Sequence, residues 1–175
     1  MSEIHKPLRV RAFIFDIDGT LSDTVGVCIE AIRLALLRFD GRYWCDYEIE
    51  AQFGVSEEGI FQRLLPDRWE QAMDSYIEAY SQLHPIISKP INGLREMLAL
   101  LSKHSVPMGI VTGKGPRSAE VTLNALKYGR FFSHVELGSP NGSVKTERIL
   151  KLAHEWRIPP ADIAYLGDTP YDVRA

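Results

Sequence analysis

The sequence has 175 residues, of which 45% are hydrophobic and 25% are charged, and its formal net charge is −3. This length and composition are typical of a chain that folds around a hydrophobic core, and they exclude a disordered chain. The slightly acidic balance offers no basic surface for nucleic acid or for an acidic membrane. No apolar run reaches the roughly 18 residues of a membrane span, and the N-terminus lacks the pattern of an export signal, so we expect a cytoplasmic protein.

The first third of the chain combines one candidate strand with a long helical segment. Residues 8–15 are predicted to form a buried strand that ends at Asp16. Apolar residues then recur at helical spacing over residues 25–39. Three shorter helices are predicted at residues 46–53, 56–65 and 67–82. Residues 24–86 therefore form an all-helical block.

The rest of the chain alternates between helices and strands. Helices are predicted at residues 93–103, 116–126 and from about 146 to 156, and strands at 106–112, 134–137 and 163–167. This alternation predicts an α/β fold, in which a Rossmann-like parallel sheet is covered by helices on both faces. Because the helical block interrupts the alternation directly after the first strand, we predict a core of residues 1–23 and 87–175 and a helical cap domain of residues 24–86.

Polar side chains recur where the predicted strands end or in loops on the same side. These residues are Asp16, Asp18, Thr112, Lys145, Asp168 and Asp172. The carboxyl ends of parallel strands meet at one edge of the sheet, which is where open α/β sheets bind ligands. We therefore expect these side chains to lie close together.

Two carboxylates separated by one residue at a strand end suit phosphoryl transfer. Asp16 could attack phosphorus while Asp18 handles the proton of the leaving group. Gly19 follows and provides a turn that could open backbone N–H groups toward a phosphate.

An anionic substrate would be repelled by these carboxylates unless a cation intervened. A hard, all-oxygen site favours Mg²⁺, and Asp168 can complete the set of ligands. Thr112 offers a hydroxyl group and Lys145 a positive charge for the phosphate oxygens.

Four segments in this order resemble the haloacid dehalogenase superfamily, in its phosphatase branch with a small helical cap. They are FDIDGT at 15–20, IVTG at 110–113, Lys145, and YLGDTPYD at 165–172. The resemblance implies that Asp16 is the nucleophile and Asp18 the general acid and base. It also implies that Thr112 and Gly113 bind the phosphate together with Gly19 and Lys145. Asp168 and Asp172 would then hold Mg²⁺ together with Asp16 and Asp18.

The resemblance further implies a function similar to that of phosphoglycolate phosphatases. The expected enzyme hydrolyses a small phosphorylated metabolite through a phosphoaspartate, and its cap selects the substrate through a loop that contains Gly54, Ser56 and Glu57. A phosphosugar mutase or a pyrophosphatase would use the same core chemistry, and a receiver-like phosphoacceptor domain is the alternative from another class. The oligomeric state is left open.

Three further expectations concern single positions. Lys114 could contact phosphate or only water, and we favour the interpretation that it faces solvent. We interpret Cys28 and Cys45 as thiols without a metal or redox role. The sequence ends at Ala175, inside the helix expected after the fourth segment, whereas similar proteins continue further. We therefore expect that the C-terminal part of the core is truncated.

Overall fold

The computed structural model describes residues 9–173, which fold as helices around a parallel sheet. The strands are β1 (Ala12–Phe15), β2 (Ser22–Asp23), β3 (Lys89–Pro90), β4 (Met108–Val111), β5 (His134–Glu136) and β6 (Ile163–Leu166). The α-helices are α1 (Val25–Asp40), α2 (Asp46–Glu50), α3 (Glu57–Leu64), α4 (Trp69–Ile87), α5 (Leu94–Lys103), α6 (Pro116–Leu126), α7 (Lys145–Trp156) and α8 (Pro170–Val173).

The main sheet has four parallel strands in the order β5–β4–β1–β6. In the register, Phe13 of β1 lies opposite Met108 on one side and Ala164 on the other. The chain runs from β1 to β4 and β5 on one side and then crosses to β6 on the other side. This reversal opens a crevice at the carboxyl end of β1, where open α/β sheets bind ligands. The predicted α/β class and parallel sheet are confirmed.

Helices cover both faces of the sheet because each presents an apolar stripe to it. On one face, Leu98 of α5 and Ala119 of α6 pack in the same core as Phe15 and Ile110. On the other face, α7 packs through Ile149 and Leu152, among other side chains. β1 and β4 are thereby enclosed, as their nearly continuous apolar sequences predict.

The helical block consists of α1–α4 and has a core of its own. Its buried side chains include Ile32 and Leu36 of α1, Phe61 of α3, and Tyr76 and Tyr80 of α4. Helix α4 extends to Ile87, five residues beyond the predicted end. The last turns of α4 are stabilised by packing that the hydrophobic periodicity does not predict. The ring of His84, for example, lies 5.6 Å from that of Tyr80. The division into core and cap domains stays a prediction.

A small antiparallel ribbon lies where the chain leaves the sheet for the helical block and where it returns. Ser22 of β2 pairs with Pro90 of β3, and Asp23 pairs with Lys89. Strands this short leave no recognisable pattern in the sequence. Among the described residues, no helix is long and apolar enough to cross a membrane.

Candidate active site

Asp16 is the first residue after β1, and backbone contacts fix its position. Its N–H group donates to the carbonyl of Leu166, at the end of β6, over 2.9 Å. One carboxylate oxygen, Oδ1, accepts the N–H of Ile17 at 2.6 Å. Only 5% of the residue is exposed. The carboxylate is thus held at the carboxyl edge of the sheet, with limited freedom to rotate.

Lys145 begins α7 and joins Asp16 to the fourth segment. Its Nζ lies 2.5 Å from Asp16 Oδ2 and 2.5 Å from Asp172 Oδ1. Asp172 also accepts hydrogen bonds from the Tyr165 hydroxyl at 3.0 Å and the Thr169 hydroxyl at 2.6 Å. The structure therefore brings Lys145 to the carboxylates, as the sequence order predicts. The Lys145 cluster is hereafter Asp16, Lys145, Asp168 and Asp172.

Three carboxylates of this cluster lie close enough together to hold a cation. One oxygen each of Asp16, Asp168 and Asp172 lies within 4.8 Å of the others. Carboxylate oxygens are the ligands that a hard divalent cation prefers, so these residues fit Mg²⁺. Asp18 was expected as a fourth ligand, but its side chain is not part of this group. Its Oδ1 instead accepts the Thr24 hydroxyl at 2.5 Å.

Lys114 is not exposed to solvent, and the expectation from the sequence was wrong. The residue is only 3% exposed. Its Nζ lies 3.2 Å from Asp18 Oδ2, 3.5 Å from Glu57 Oε1 and 3.2 Å from Cys28 Sγ. It also lies 4.5 Å from the centre of the Tyr80 ring. The Lys114 cluster, defined as Asp18, Cys28, Glu57 and Lys114, is a group that the sequence did not predict.

Glu57 connects the helical block to the core. Its Oε2 accepts the N–H of Gly115 at 2.6 Å, and its Oε1 accepts the hydroxyl groups of Ser118 at 2.6 Å and Tyr76 at 3.0 Å. Gly115 is the N-cap of α6, where unpaired N–H groups and the helix dipole favour an anion. The first residue of α3 is thereby fixed to the start of a helix of the core.

The other two residues of the predicted selectivity loop occupy different surroundings. Ser56 is buried, and its N–H donates to the carbonyl of Ser139 at 2.9 Å. Gly54 is exposed and adopts a φ of 111°, which favours glycine. Gly54 and Glu57 line the cavity beside the carboxylates.

Gly19 is required because its surroundings leave no room for a side chain. Its φ is 69°, and a Cβ atom built there would lie 2.0 Å from Asp168 Oδ2. Its N–H already donates to the carbonyl of Ser22 at 2.8 Å. The turn therefore lets Asp168 approach β1, and the N–H group of Gly19 itself is not free for a phosphate.

Thr112 and Gly113 follow β4 at the same edge of the sheet. Thr112 is buried, and its N–H donates to the carbonyl of Glu136 at 3.1 Å. Its Oγ1 accepts the N–H of Lys114 at 3.3 Å. Gly113 is exposed. Both residues line the cavity that also contains Asp16.

Residues 13–175 match the family described as haloacid dehalogenase-like hydrolase. The chain belongs to this family. A protein from Caldanaerobacter subterraneus with the provisional name pyrophosphatase PpaX is 24% identical over 169 residues, which cover 95% of this chain and 76% of that protein. A phosphoglycolate phosphatase from Pseudomonas savastanoi is 28% identical over 93% of this chain and 64% of its own length.

The fold of this hydrolase is also found in solved structures. A predicted phosphoglycolate phosphatase from Haemophilus somnus superposes with a TM-score of 0.79 at 18% identity, and the match covers 96% of this chain and 81% of that one. The family and the phosphatases among the relatives support a phosphatase. The resemblance to the superfamily is confirmed.

Burial and neighbouring charges together set the pKa values of the three clustered carboxylates of the hydrolase. Burial raises the pKa of Asp16, although the Lys145 ammonium group opposes this shift. Burial also disfavours the charged form of Asp172, but hydrogen bonds from Lys145 and Thr169 outweigh it and hold the pKa below its usual value. Burial, together with the charge of Asp172, raises the pKa of Asp168.

A cavity of about 430 Å³ opens onto both clusters, which is the size of a site for a small molecule. The core contributes Asp16, Asp18, Thr112, Lys145 and Asp168 to its wall. The helical block contributes residues of α1, α2 and α3 and of the segment between α2 and α3, and the loop before α7 adds Gly138, Ser139 and residues 142–144. A substrate in this cavity would therefore touch the reactive carboxylates and the helical block at the same time.

Proposed function

We propose that this hydrolase is a Mg²⁺-dependent phosphatase that hydrolyses a small organic phosphate monoester through a phosphoaspartate on Asp16. The observation that carries the proposal is the geometry around Asp16. Its buried carboxylate lies 2.5 Å from Lys145 Nζ. One of its oxygens also lies within 4.8 Å of an oxygen of Asp168 and of an oxygen of Asp172. The proposed nucleophile, a positively charged side chain and the proposed metal ligands therefore lie together beside one small cavity.

The first step transfers the phosphoryl group to the protein. A carboxylate oxygen of Asp16 attacks phosphorus, and the bond from phosphorus to the ester oxygen breaks. Asp18, in its protonated form, donates its proton to the leaving oxygen. The products of this step are the free alcohol and the acyl phosphate on Asp16.

The second step returns Asp16 to its starting state. Asp18, now a carboxylate, accepts a proton from water while the water oxygen attacks phosphorus. The bond from phosphorus to Asp16 breaks, inorganic phosphate leaves, and Asp18 is protonated again. Thr24 and Lys114 contact the Asp18 carboxylate and limit its rotation.

Asp16, Asp168 and Asp172 would hold Mg²⁺. When bound, the ion offsets the repulsion between these carboxylates and the phosphate of the substrate. Lys145, Thr112 and the backbone at Gly113 would contact the phosphate oxygens, where they stabilise charge that spreads in the transition state. Gly19 has a steric role in this proposal, since it lets Asp168 reach the site.

The proposal is tested by trapping the phosphorylated residue. The Asp18→Asn variant, mixed with an aryl phosphate and Mg²⁺, is quenched rapidly and digested. We expect mass spectrometry to find a mass gain of about 80 Da on the peptide that contains Asp16, because an aryl leaving group needs little protonation and no base remains to activate water. Asp16→Asn should abolish turnover, as should excess chelator.

The control is Asp67→Asn, which changes an exposed aspartate outside the cavity and should leave turnover unchanged. A phosphoryl group on serine or histidine would overturn the mechanism, as would an Asp16→Asn protein with normal turnover. Full activity in excess chelator would overturn the metal requirement alone.

A further inference from the structure

We propose that the substrate of this phosphatase is a monoester whose alcohol carries no second anionic group and presents an apolar surface to the helical block. This inference rests on the proposed function and narrows its substrate class. It concerns the part of the cavity that would surround the leaving group. The proposed substrate class excludes pyrophosphate and phosphorylated carboxylic acids as preferred substrates.

The side of the cavity formed by the helical block is mainly apolar. Val25, Phe53 and Val55 of this block line it with partly exposed side chains, and Ile32 and Ile60, which are almost fully buried, also border it. Phe53 is 38% exposed, so part of its ring remains available for contact with a ligand. An apolar surface that a ligand removes from water contributes favourably to binding.

The charged side chains that the helical block adds to the cavity are both acidic. They are Glu50 and Glu57. Glu57 is buried and is already paired with the start of α6. Glu50 is exposed and has no positive partner among the ion pairs of the described residues. An anionic leaving group would therefore be repelled by this side of the cavity.

Each cation of the described cavity wall is already paired. Lys114 contacts Asp18 and Glu57, and Lys145 contacts Asp16 and Asp172. Lys145 would also contact the transferred phosphoryl group. No described cation of the wall is left to neutralise a second phosphate or a carboxylate of the substrate, so such a group would lose its hydration without a charged partner.

The experiment compares three substrates that share the phosphoryl group and differ in the remainder. They are n-propyl phosphate, 2-carboxyethyl phosphate, which carries a carboxylate at the end of a similar chain, and pyrophosphate. We expect kcat/KM for n-propyl phosphate to exceed that for each of the two others by about tenfold or more, which is the order of discrimination that an apolar pocket provides. Equal or higher kcat/KM for 2-carboxyethyl phosphate or pyrophosphate would overturn the inference.

A charge reversal in the cavity wall provides a second measurement. In Glu50→Lys, a cation replaces the unpaired acid, so the preference for n-propyl over 2-carboxyethyl phosphate should fall by about threefold or more. The matched control is Glu78→Lys, an equal change of charge at an exposed position of α4 outside the cavity. If both variants shift the preference equally, the role of the wall charge is refuted.

The outcomes distinguish this inference from the proposed function on which it rests. Phosphorylation of Asp16 by an aryl phosphate, together with a preference for the anionic substrates, would refute the substrate class and leave the mechanism intact. A protein that neither becomes phosphorylated nor releases phosphate from any of the substrates would refute both.

Discussion

The Lys145 cluster and the Lys114 cluster each place a buried lysine between carboxylates, but they join different parts of the molecule. Lys145 contacts Asp16 and Asp172, and both lie at the carboxyl edge of the main sheet. Lys114 contacts Asp18 near that edge and Glu57 at the start of α3. The first cluster is therefore local to the sheet, whereas the second connects the proposed acid and base to the helical block.

The pKa is shifted in the same direction at both lysines, so the two clusters differ mainly in which parts of the molecule each ion pair connects. Burial alone would lower the pKa of either lysine. At Lys114 the Asp18 carboxylate, with other acidic side chains, outweighs burial and raises the pKa, and at Lys145 the carboxylates of Asp16 and Asp172 do the same. Both ammonium groups are consequently charged at neutral pH. In the proposed mechanism the charge of Lys145 acts on the substrate phosphate, whereas the charge of Lys114 connects Asp18 to the start of α3. The following predictions separate these roles.

The largest expected effect is on turnover in Lys145→Met. This change keeps the length of the side chain and removes the charge that would face the phosphoryl group, so kcat should fall by about 10²- to 10³-fold. Steady-state kinetics with an aryl phosphate measure the effect. Lys103→Met, at an exposed position of α5, is the control and should match the original chain. A rise in KM with unchanged kcat would mean that Lys145 binds substrate without assisting the reaction.

The next effect is on stability in Lys114→Met. Removing one partner of a fully buried ion pair costs about 3 to 5 kcal/mol. Because the Asp18 side chain is 25% exposed, we expect about 2 to 3 kcal/mol here, measured as the free energy of unfolding in urea. The loss arises because the carboxyl groups of Glu57 and Asp18 lose the ammonium group that contacts both of them.

A double-mutant cycle tests whether the loss of stability in Lys114→Met depends on the charge of Glu57. In Glu57→Gln the neutral amide oxygen can still accept a hydrogen bond at the start of α6, but it has no charge for Lys114 to neutralise. Lys114→Met should therefore cost less stability in the Glu57→Gln background than in the original chain. Equal costs in both backgrounds would contradict the proposed link between α3 and the core.

The two clusters also differ in how far the sequence could predict them. Asp16, Thr112 and Asp168 follow predicted strands, and the geometry of a parallel sheet is sufficient to bring them together. Lys145 could be assigned from its place in the order of segments. The contacts of Lys114 could not be predicted, because Glu57 and Tyr80 reach it only through the packing of α3 and α4, which no local pattern encodes.

The orientation of side chains was likewise beyond the sequence. Asp18 was expected among the metal ligands because it is two residues from Asp16, but it turns toward Thr24 and Lys114. Gly19 was expected to donate to phosphate, and instead its backbone bonds to Ser22 and makes room for Asp168. In both cases the sequence located the residue, while the turn after β1 and a distant side chain, Lys114 or Asp168, set its contacts.

The smallest expected effect is on the pH dependence of stability, through Cys28 in the Lys114 cluster. Burial, with the charge of Asp18, raises the pKa of this thiol from 9.0 to about 12. Below pH 9 the thiol is protonated in both states and adds no pH dependence. Above pH 9 the unfolded chain releases this proton and the folded chain does not, so the free energy of unfolding falls as pH rises.

Comparison of two single variants isolates this contribution. Between pH 8 and pH 10 the original chain should lose about 1 kcal/mol more stability than Cys28→Ala, since one pKa unit corresponds to about 1.4 kcal/mol. Urea unfolding at both pH values measures the difference. Cys45→Ala removes the exposed thiol and should keep the pH dependence of the original chain. If Cys28→Ala and Cys45→Ala respond identically to pH, the thiol beside Lys114 ionises in the folded protein, and the Lys114 cluster is more open to water than its burial indicates.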